Sequence, residues 1–235
     1  MKGRLYLIPT FIGSDDPGRV FPSMNIAIIE SLRYFVVEEI KTARRFIKKV
    51  CPHRFLDELT FYELNEHTTE SAIGGYLEAC MQGESVGLLS EAGVPCVADP
   101  GSLLVRLAHQ RGIEVSPLVG PSSILLALMA SGLNGQSFAF VGYLPVGRHE
   151  RQRTIRQLEQ RSLTENQTQC FMETPYRNLQ LFEDIVQIAH PDTLLCIASD
   201  LTLPSQRIVT QSVREWQKNK PDIHKHPAIF LLKRS

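Results

Sequence analysis

The chain has 235 residues, 43% hydrophobic and 21% charged, with 25 Lys+Arg against 25 Asp+Glu. This is globular composition, which excludes a disordered tail or a fibrous repeat, and the length allows one large core or two smaller ones. The zero net charge argues at first sight against a nucleic-acid partner, which usually meets a basic surface.

In chain order, short apolar runs alternate with helical patterns. Leu5–Ile8 reads as a strand, Ile26–Leu32 as a helix and Tyr34–Val37 as a strand. Thr42–Val50 reads as a helix with Ala43, Phe46, Ile47 and Val50 on one face. Thr60–Tyr62 fits a strand, Glu70–Gln82 a helix closed by Gly83, and Val86–Leu89 an apolar strand. Asp99 as a cap and Pro100 at the first helical position predict a helix that buries Leu103, Leu104 and Leu107 and ends at Gly112. Glu114–Leu118 reads as a strand, Ser122–Ser131 as a helix and Phe138–Tyr143 as a strand. Beyond Leu144-Pro145, Arg148–Arg161 is a charged helix, Cys170–Met172 a strand, Asn178–Ala189 a helix and Leu194–Ala198 a strand. Arg207–Thr210 and Ile229–Leu232 complete the strands, with Val213–Lys218 helical between them. The alternation predicts an α/β protein of two α/β domains, with a boundary near Val119–Gly120. Residues 1–119 would hold a mostly parallel sheet and residues 120–235 a mixed one.

No secretory signal opens the sequence. Residues 115–147 carry no Asp, Glu, Lys, Arg or His, but Pro117, Gly120, Pro121, Gly132 and Gly135 interrupt them. The continuous apolar part, Ile124–Ala130, falls far short of the roughly 20 residues a spanning helix needs, so no membrane is expected. Cys51, Cys80, Cys96, Cys170 and Cys196 are odd in number and form no C-x-x-C, which reads as reduced thiols in a cytoplasmic protein. His224 and His226 are the only close histidine pair and read as polar loop residues; no metal site is expected.

Ligands of open α/β sheets bind beyond the carboxyl ends of strands. Three loops of small residues follow predicted strands: Pro9–Gly13, Ser90–Pro95 and Gly120–Ser123. Each alone is compatible with an ordinary tight turn, but three at strand ends exceed what turns require. The G-x-G-x-x-G, P-loop and G-x-S-x-G motifs are absent, which sets aside a conventional dehydrogenase, a P-loop nucleotidase and an α/β-hydrolase.

Leu5-Tyr6-Leu7-Ile8-Pro9-Thr10-Phe11-Ile12-Gly13 resembles an L-Y-L-V-P-T-P-I-G opening. Ser90-Glu91-Ala92-Gly93-Val94-Pro95 followed by Ala98-Asp99-Pro100-Gly101 resembles S-D-A-G-T-P…S-D-P-G. Gly120-Pro121-Ser122-Ser123, Val141-Gly142-Tyr143-Leu144-Pro145 and Glu173-Thr174-Pro175-Tyr176-Arg177 resemble G-P-[SC]-A, G-F-L-P and E-S-P-H-R. This ordered set resembles the tetrapyrrole methylase superfamily, closest to its bacterial 16S rRNA 2′-O-ribose (cytidine) methyltransferase branch, without the C-terminal tail domain many of that branch carry. The resemblance implies S-adenosylmethionine (SAM) in a cleft between two α/β domains, and a homodimer. It places Pro9, Ser90, Glu91, Ala92, Gly93, Pro95, Pro121, Ser122 and Ser123 at the cofactor. It adds Pro227 and Ala228, whose His226-Pro227-Ala228 segment is closer to the T-P-A of the tetrapyrrole branch. Departures are Glu91 for Asp, Phe11 for Pro, Ser14-Asp15-Asp16-Pro17 for N-L-x-D, and Glu38-Glu39-Ile40-Lys41 for E-D-T-R.

Methyl transfer from a sulfonium is an in-line displacement that asks the protein chiefly to align the reactants in a dry cleft. A ribose hydroxyl is a poor nucleophile, so a carboxylate or imidazole nearby would help. Glu39, Glu66, Glu91, Glu173 and His67 are the candidates, each also readable as a loop hydrogen-bond acceptor or a solvated charge. Glu173 is preferred as the catalytic residue because it ends a strand and opens a motif. Three readings stay open: an rRNA ribose methyltransferase acting on the small ribosomal subunit, a methylase of a tetrapyrrole or other small-molecule substrate, and a SAM-binding module without catalysis. The zero charge itself is a sum of opposed blocks. Lys41–Arg54 holds six bases and no acid, Asp57–Glu91 eight acids and no Lys or Arg, and Arg148–Arg161 five arginines against two Glu. An RNA partner would therefore meet local patches.

Overall fold

The computed structural model describes residues 1–65 and 67–234, with Arg19 and Glu70 described by their backbone alone. The chain divides into two compact units, Met1–Ser122 and Ser123–Ser235. The first contains β1 (Arg4–Ile8), α1 (Pro17–Val20), α2 (Ser23–Ser31), β2 (Tyr34–Val37), α3 (Ile40–Val50), β3 (Thr60–Glu63), α4 (Glu70–Gly75), α5 (Glu78–Met81), β4 (Val86–Leu89), α6 (Ser102–Gln110) and β5 (Glu114–Pro117). A 3-10 turn at Leu56–Glu58 precedes β3.

The five strands form a wholly parallel sheet in the order β3-β2-β4-β1-β5. The connection out of β1 runs to β2 on one side, and the connection out of its neighbour β4 runs to β5 on the other. With right-handed crossovers, these connections lie on opposite faces of the sheet. The packing agrees. Ile29, Leu32, Phe46 and Ile47 of the α2–α3 region bury against one face with Phe35 and Leu89. Leu77, Leu104 and Ala108 of the α4–α6 region bury against the other with Leu5, Val86 and Leu88. The carboxyl ends of β1 and β4 are thus a topological switch point, where loops diverge and leave a crevice.

The helix periodicity is informative in α3: its buried residues are Ala43, Phe46, Ile47 and Val50. Three local expectations are corrected. The helix expected over Glu70–Gln82 is two short ones, because Gly74-Gly75 weakens its middle and Tyr76 is drawn aside. The Tyr76 hydroxyl donates to the Glu63 carbonyl at 2.7 Å, and its ring stacks on Tyr62 at 5.0 Å. The helix expected from an Asp99 cap begins at Ser102 instead, with Gly101 at φ +131 before it. Residues 93–101 are not helical at all: Gly93, Cys96, Ala98 and Gly101 all have positive φ. The third is α1, which was not expected although Asp16 caps it, accepting from Gly18 N–H at 2.9 Å with Pro17 at its first position.

The second unit contains α7 (Ser123–Ser131), β6 (Phe138–Tyr143), α8 (Arg148–Thr164), β7 (Thr168–Met172), α9 (Asn178–Ile188), β8 (Leu194–Ser199), β9 (Arg207–Ser212), α10 (Val213–Trp216) and β10 (Ala228–Lys233). Its sheet runs β6-β7-β10-β8-β9 and is mixed: β6 and β7 are parallel, and the other pairs are antiparallel. One face packs α8–α10 through Ile155, Phe182, Ile185 and Trp216, and the other packs α7 through Ala127 and Leu128. The uncharged stretch 115–147 is β5, α7 and β6, and no helix among the described residues is long and apolar enough to cross a membrane.

Candidate active site

Three loops of the first unit meet beyond the carboxyl ends of β1, β4 and β5. The Thr10 N–H donates to the Gly93 carbonyl at 2.8 Å, and the Ser90 N–H to the Ile8 carbonyl at 3.3 Å. Leu118 N–H donates to Leu7 at 2.9 Å and carries the third loop alongside β1. A Cβ on Gly120 would stand 2.3 Å from Cβ of Pro9, so only glycine lets the two loops touch. Gly93, at φ +76, turns the second loop under the third, where a Cβ would stand 3.2 Å from the Pro121 carbonyl. Pro9, Ser90, Gly93 and Pro121 are thereby held in one region, with Glu91 and Ala92 exposed on the β4 loop and Pro95 buried further along it. Ser122 closes the first unit and Ser123 opens the second.

Glu91 shows what the extra methylene does. Its Oε1 accepts from Thr42 Oγ1 at 2.7 Å and from the Glu39 N–H at 3.3 Å, which ties the β4 loop to the first turn of α3. The N-cap N–H and a first-turn hydroxyl, near the positive end of the helix dipole, are natural partners for a carboxylate. Behind it, Ser90 is buried and hydrogen-bonds the Asp99 carboxylate. Burial raises Asp99 to about 6, and the nearby Glu38 and Glu91 carboxylates push in the same direction. Asp99 was read from sequence only as a helix cap. The signal that could have revealed it is its place at the end of a turn-rich loop shared with Ser90. Thr10 also went unread: it is 5% exposed, and its hydroxyl has no hydrogen-bond partner.

Glu173 lies in the second unit at the end of β7, with its side chain fully buried. Oε1 accepts from Arg177 Nη2 at 2.5 Å and from the Thr174 N–H at 2.7 Å, while Oε2 has no partner. The His226-Pro227-Ala228 segment enters the same sheet through β10: Asn178 Nδ2 donates to the His226 carbonyl at 2.6 Å, and His226 Nδ1 stands 2.8 Å from Asp200 Oδ2. Pro227 is exposed and Ala228 buried. Glu39 and His67 are exposed residues of the first unit, and Glu66 lies outside the described residues.

The basic blocks are used differently. On α8, Arg151 is fully buried and donates to Asp184 Oδ2 from Nε at 2.8 Å and Nη2 at 2.5 Å. Arg148 Nε donates to the other oxygen at 3.1 Å, and Arg161 pairs with Glu165. Burial would raise the Asp184 carboxyl, but hydrogen bonds from Gln152, Arg151 and Arg148 outweigh it and hold it below the usual range. Most of that arginine block is therefore spent within the fold. On α3, Arg44 pairs with Asp57 and Lys49 with Asp15, whereas Arg45 has no partner among the described residues. The five thiols are free, and burial pushes Cys51, Cys80 and Cys96 up to about 11 and Cys170 to about 12.

The family model for Tetrapyrrole (Corrin/Porphyrin) Methylases matches residues 26–217. A "Ribosomal RNA small subunit methyltransferase I" of Escherichia coli O157:H7 is 27% identical, the match covering 98% of this chain and 78% of the relative. A protein of the same name from Thermotoga maritima is 30% identical over 93% of this chain and 94% of its own. Among solved structures, the methyltransferase CobJ superposes with a TM-score of 0.65 at 18% identity, covering 99% of this chain and 95% of its own. A uroporphyrin-III C-methyltransferase from Thermus thermophilus, complexed with S-adenosyl homocysteine, gives 0.56 at 16% identity, covering 99% and 98%. With its two α/β domains and a family match over most of its length, the chain belongs to the tetrapyrrole methylase family.

Proposed function

We propose that this SAM-dependent methyltransferase transfers a methyl group to a ribose 2′-hydroxyl of small-subunit ribosomal RNA. The observation that carries the reading is the Glu91 bridge: the β4 loop is bonded to the start of α3, a helix that exposes Lys41 and Arg45 for phosphate contacts. Relatives named for rRNA methylation across nearly the whole chain support the same substrate. A homodimer in the cytoplasm belongs to this reading, and the exposed Leu125 and Met129 on α7 offer it apolar surface.

The first-unit loops fit the cofactor. They are held together by the close Gly120–Pro9 contact, and they carry an anionic corner of Asp99, Glu38 and Glu91 suited to a ligand with sulfonium and ammonium charges. In this reading Pro9, Ser90, Glu91, Ala92, Gly93, Pro95, Pro121 and Ser122 are its binding residues on the first unit. When bound, SAM supplies a methyl group on a good leaving group. The chain's own part is to orient the hydroxyl, keep water out and take up its proton. Glu173 is the proposed acceptor: Oε1 is fixed by Arg177 and Thr174, and Oε2, buried and without a partner, takes the proton only where substrate binding uncovers it.

The test is to incubate the protein with methyl-labelled SAM and either ribosomal RNA or a metabolite extract. Label in a ribose 2′-O-methyl of the RNA is expected, and label confined to the metabolite fraction refutes the reading. Glu173→Gln should lower kcat far more than SAM affinity; an unchanged kcat removes Glu173 from the mechanism.

A further inference from the structure

A pocket of about 210 Å³ opens beside the cofactor loops, wholly within the first unit, between the β1 and β4 loops and α3. Its floor includes Phe46, which packs edge-on to Phe11 at 5.0 Å, and Phe11 remains half-buried at the wall. Its rim carries Arg45 and Lys49, with Thr42 and Glu91 already bonded to each other. The cations are unequal: Lys49 pairs with Asp15, while Arg45 is exposed and without a partner among the described residues. The buried Thr10, whose hydroxyl is unpartnered, is a third wall.

A buried hydroxyl left without a partner costs stability unless something bonds to it. An aromatic wall beside a free guanidinium suits a ligand with a flat ring next to an anion. We infer that this pocket receives one nucleotide of the RNA substrate, its base against Phe11, its phosphate on Arg45 and a polar group on the Thr10 hydroxyl. The inference rests on the RNA reading above and adds to it where on the first unit the chain is gripped. A single heteroaromatic ring suits this space, and a tetrapyrrole macrocycle does not.

The experiment measures methyl transfer and binding with a small-subunit rRNA fragment from 50 to 200 mM salt, for the unaltered protein, Arg45→Ala, Thr10→Val and, as a surface control, Lys218→Ala. Arg45 and Lys218 are exposed, so both variants should keep the fold. Arg45→Ala is expected to raise the KM for RNA several-fold with kcat and SAM affinity unchanged. Its log–log salt slope should become shallower by about 0.7, the loss of one single-strand phosphate contact. Thr10→Val should raise that KM without altering the slope, and Lys218→Ala should change neither. Normal RNA methylation with wild-type KM and slope in both pocket variants overturns the inference alone. Failure of the unaltered protein to bind or methylate RNA overturns the RNA reading, and the inference with it.

Discussion

Asp99→Asn is the sharpest test of the site, because stability and function should move in opposite directions. In the unfolded chain an aspartate titrates near 3.8, and burial raises it to about 6 in the fold. The folded protein therefore binds this proton more tightly. Below pH 4 the group is neutral in both states and carries no penalty. Between about pH 4 and 6 the unfolded chain ionises first, and above about 6 the folded protein bears the full cost. A shift of about two units corresponds to roughly 3 kcal/mol. Since Asp99 is only half-buried, a gain on the order of 1–3 kcal/mol is expected for Asn at pH 7.5, reduced by any weakening of the Ser90 hydrogen bond. Urea unfolding at pH 7.5 and pH 4 measures it: the variant should be the more stable protein at the higher pH and match the parent at the lower. The same substitution removes a negative charge from the proposed cofactor corner, so calorimetric affinity for SAM should fall. Affinity of the parent should itself weaken as pH drops below 6. Equal stability differences at both pH values would refute the account of Asp99 as a carboxylate held ionised at a cost. Undiminished SAM affinity would refute its link to the cofactor.

Two other substitutions probe the frame. Asp184→Ala leaves the fully buried Arg151 without its counter-charge and should cost about 3–5 kcal/mol, read as a drop in the urea midpoint; a cost under 1 kcal/mol would mean that Arg151 finds water. Gly120→Ala drives a Cβ to within 2.3 Å of Pro9, so the third loop must move and SAM affinity should fall by tenfold or more, about 1.4 kcal/mol. The affinity is checked by titration and the fold by circular dichroism; unaltered affinity would show that this loop does not shape the cofactor site.

What the sequence made legible follows from which forces act locally. The strands of the first sheet are short apolar runs bounded by turn residues, so β1, β2 and β4 could be read directly. The buried face of α3 follows from helical spacing alone. The failures arise where a local signal is overridden by packing. Asp99-Pro100 has the chemistry of a helix start, yet Gly101 packs so closely on Leu88 of β4 that a Cβ would stand 2.6 Å from its Cδ2. The chain therefore stays in a tight loop and the helix waits until Ser102. That same override delivers Asp99 to Ser90, which no spacing rule would place together.

The candidate site was legible where it depends on backbone approach and illegible where it depends on which charges are already paired. Proline and glycine at strand ends announce a crevice, and Pro9 against Gly120 shows why those residue types are needed. Counting charges gives no such guide. Arg148–Arg161 looks like a basic patch because its acid, Asp184, lies on another helix, 33 residues beyond Arg151, and only the fold brings them within 2.5 Å. An ion pair of that kind has surrendered its hydration and is a poor contact for RNA phosphate, whereas an exposed, unpaired guanidinium keeps both mobility and field. Of the five arginines of α8, Arg148, Arg151 and Arg161 are paired within the fold, and only Arg153 and Arg156 are exposed without an ion pair among the described residues, as Arg45 is on α3. Net neutrality is therefore no argument against an RNA partner, because free cations and bonded ones are equal only in the sum.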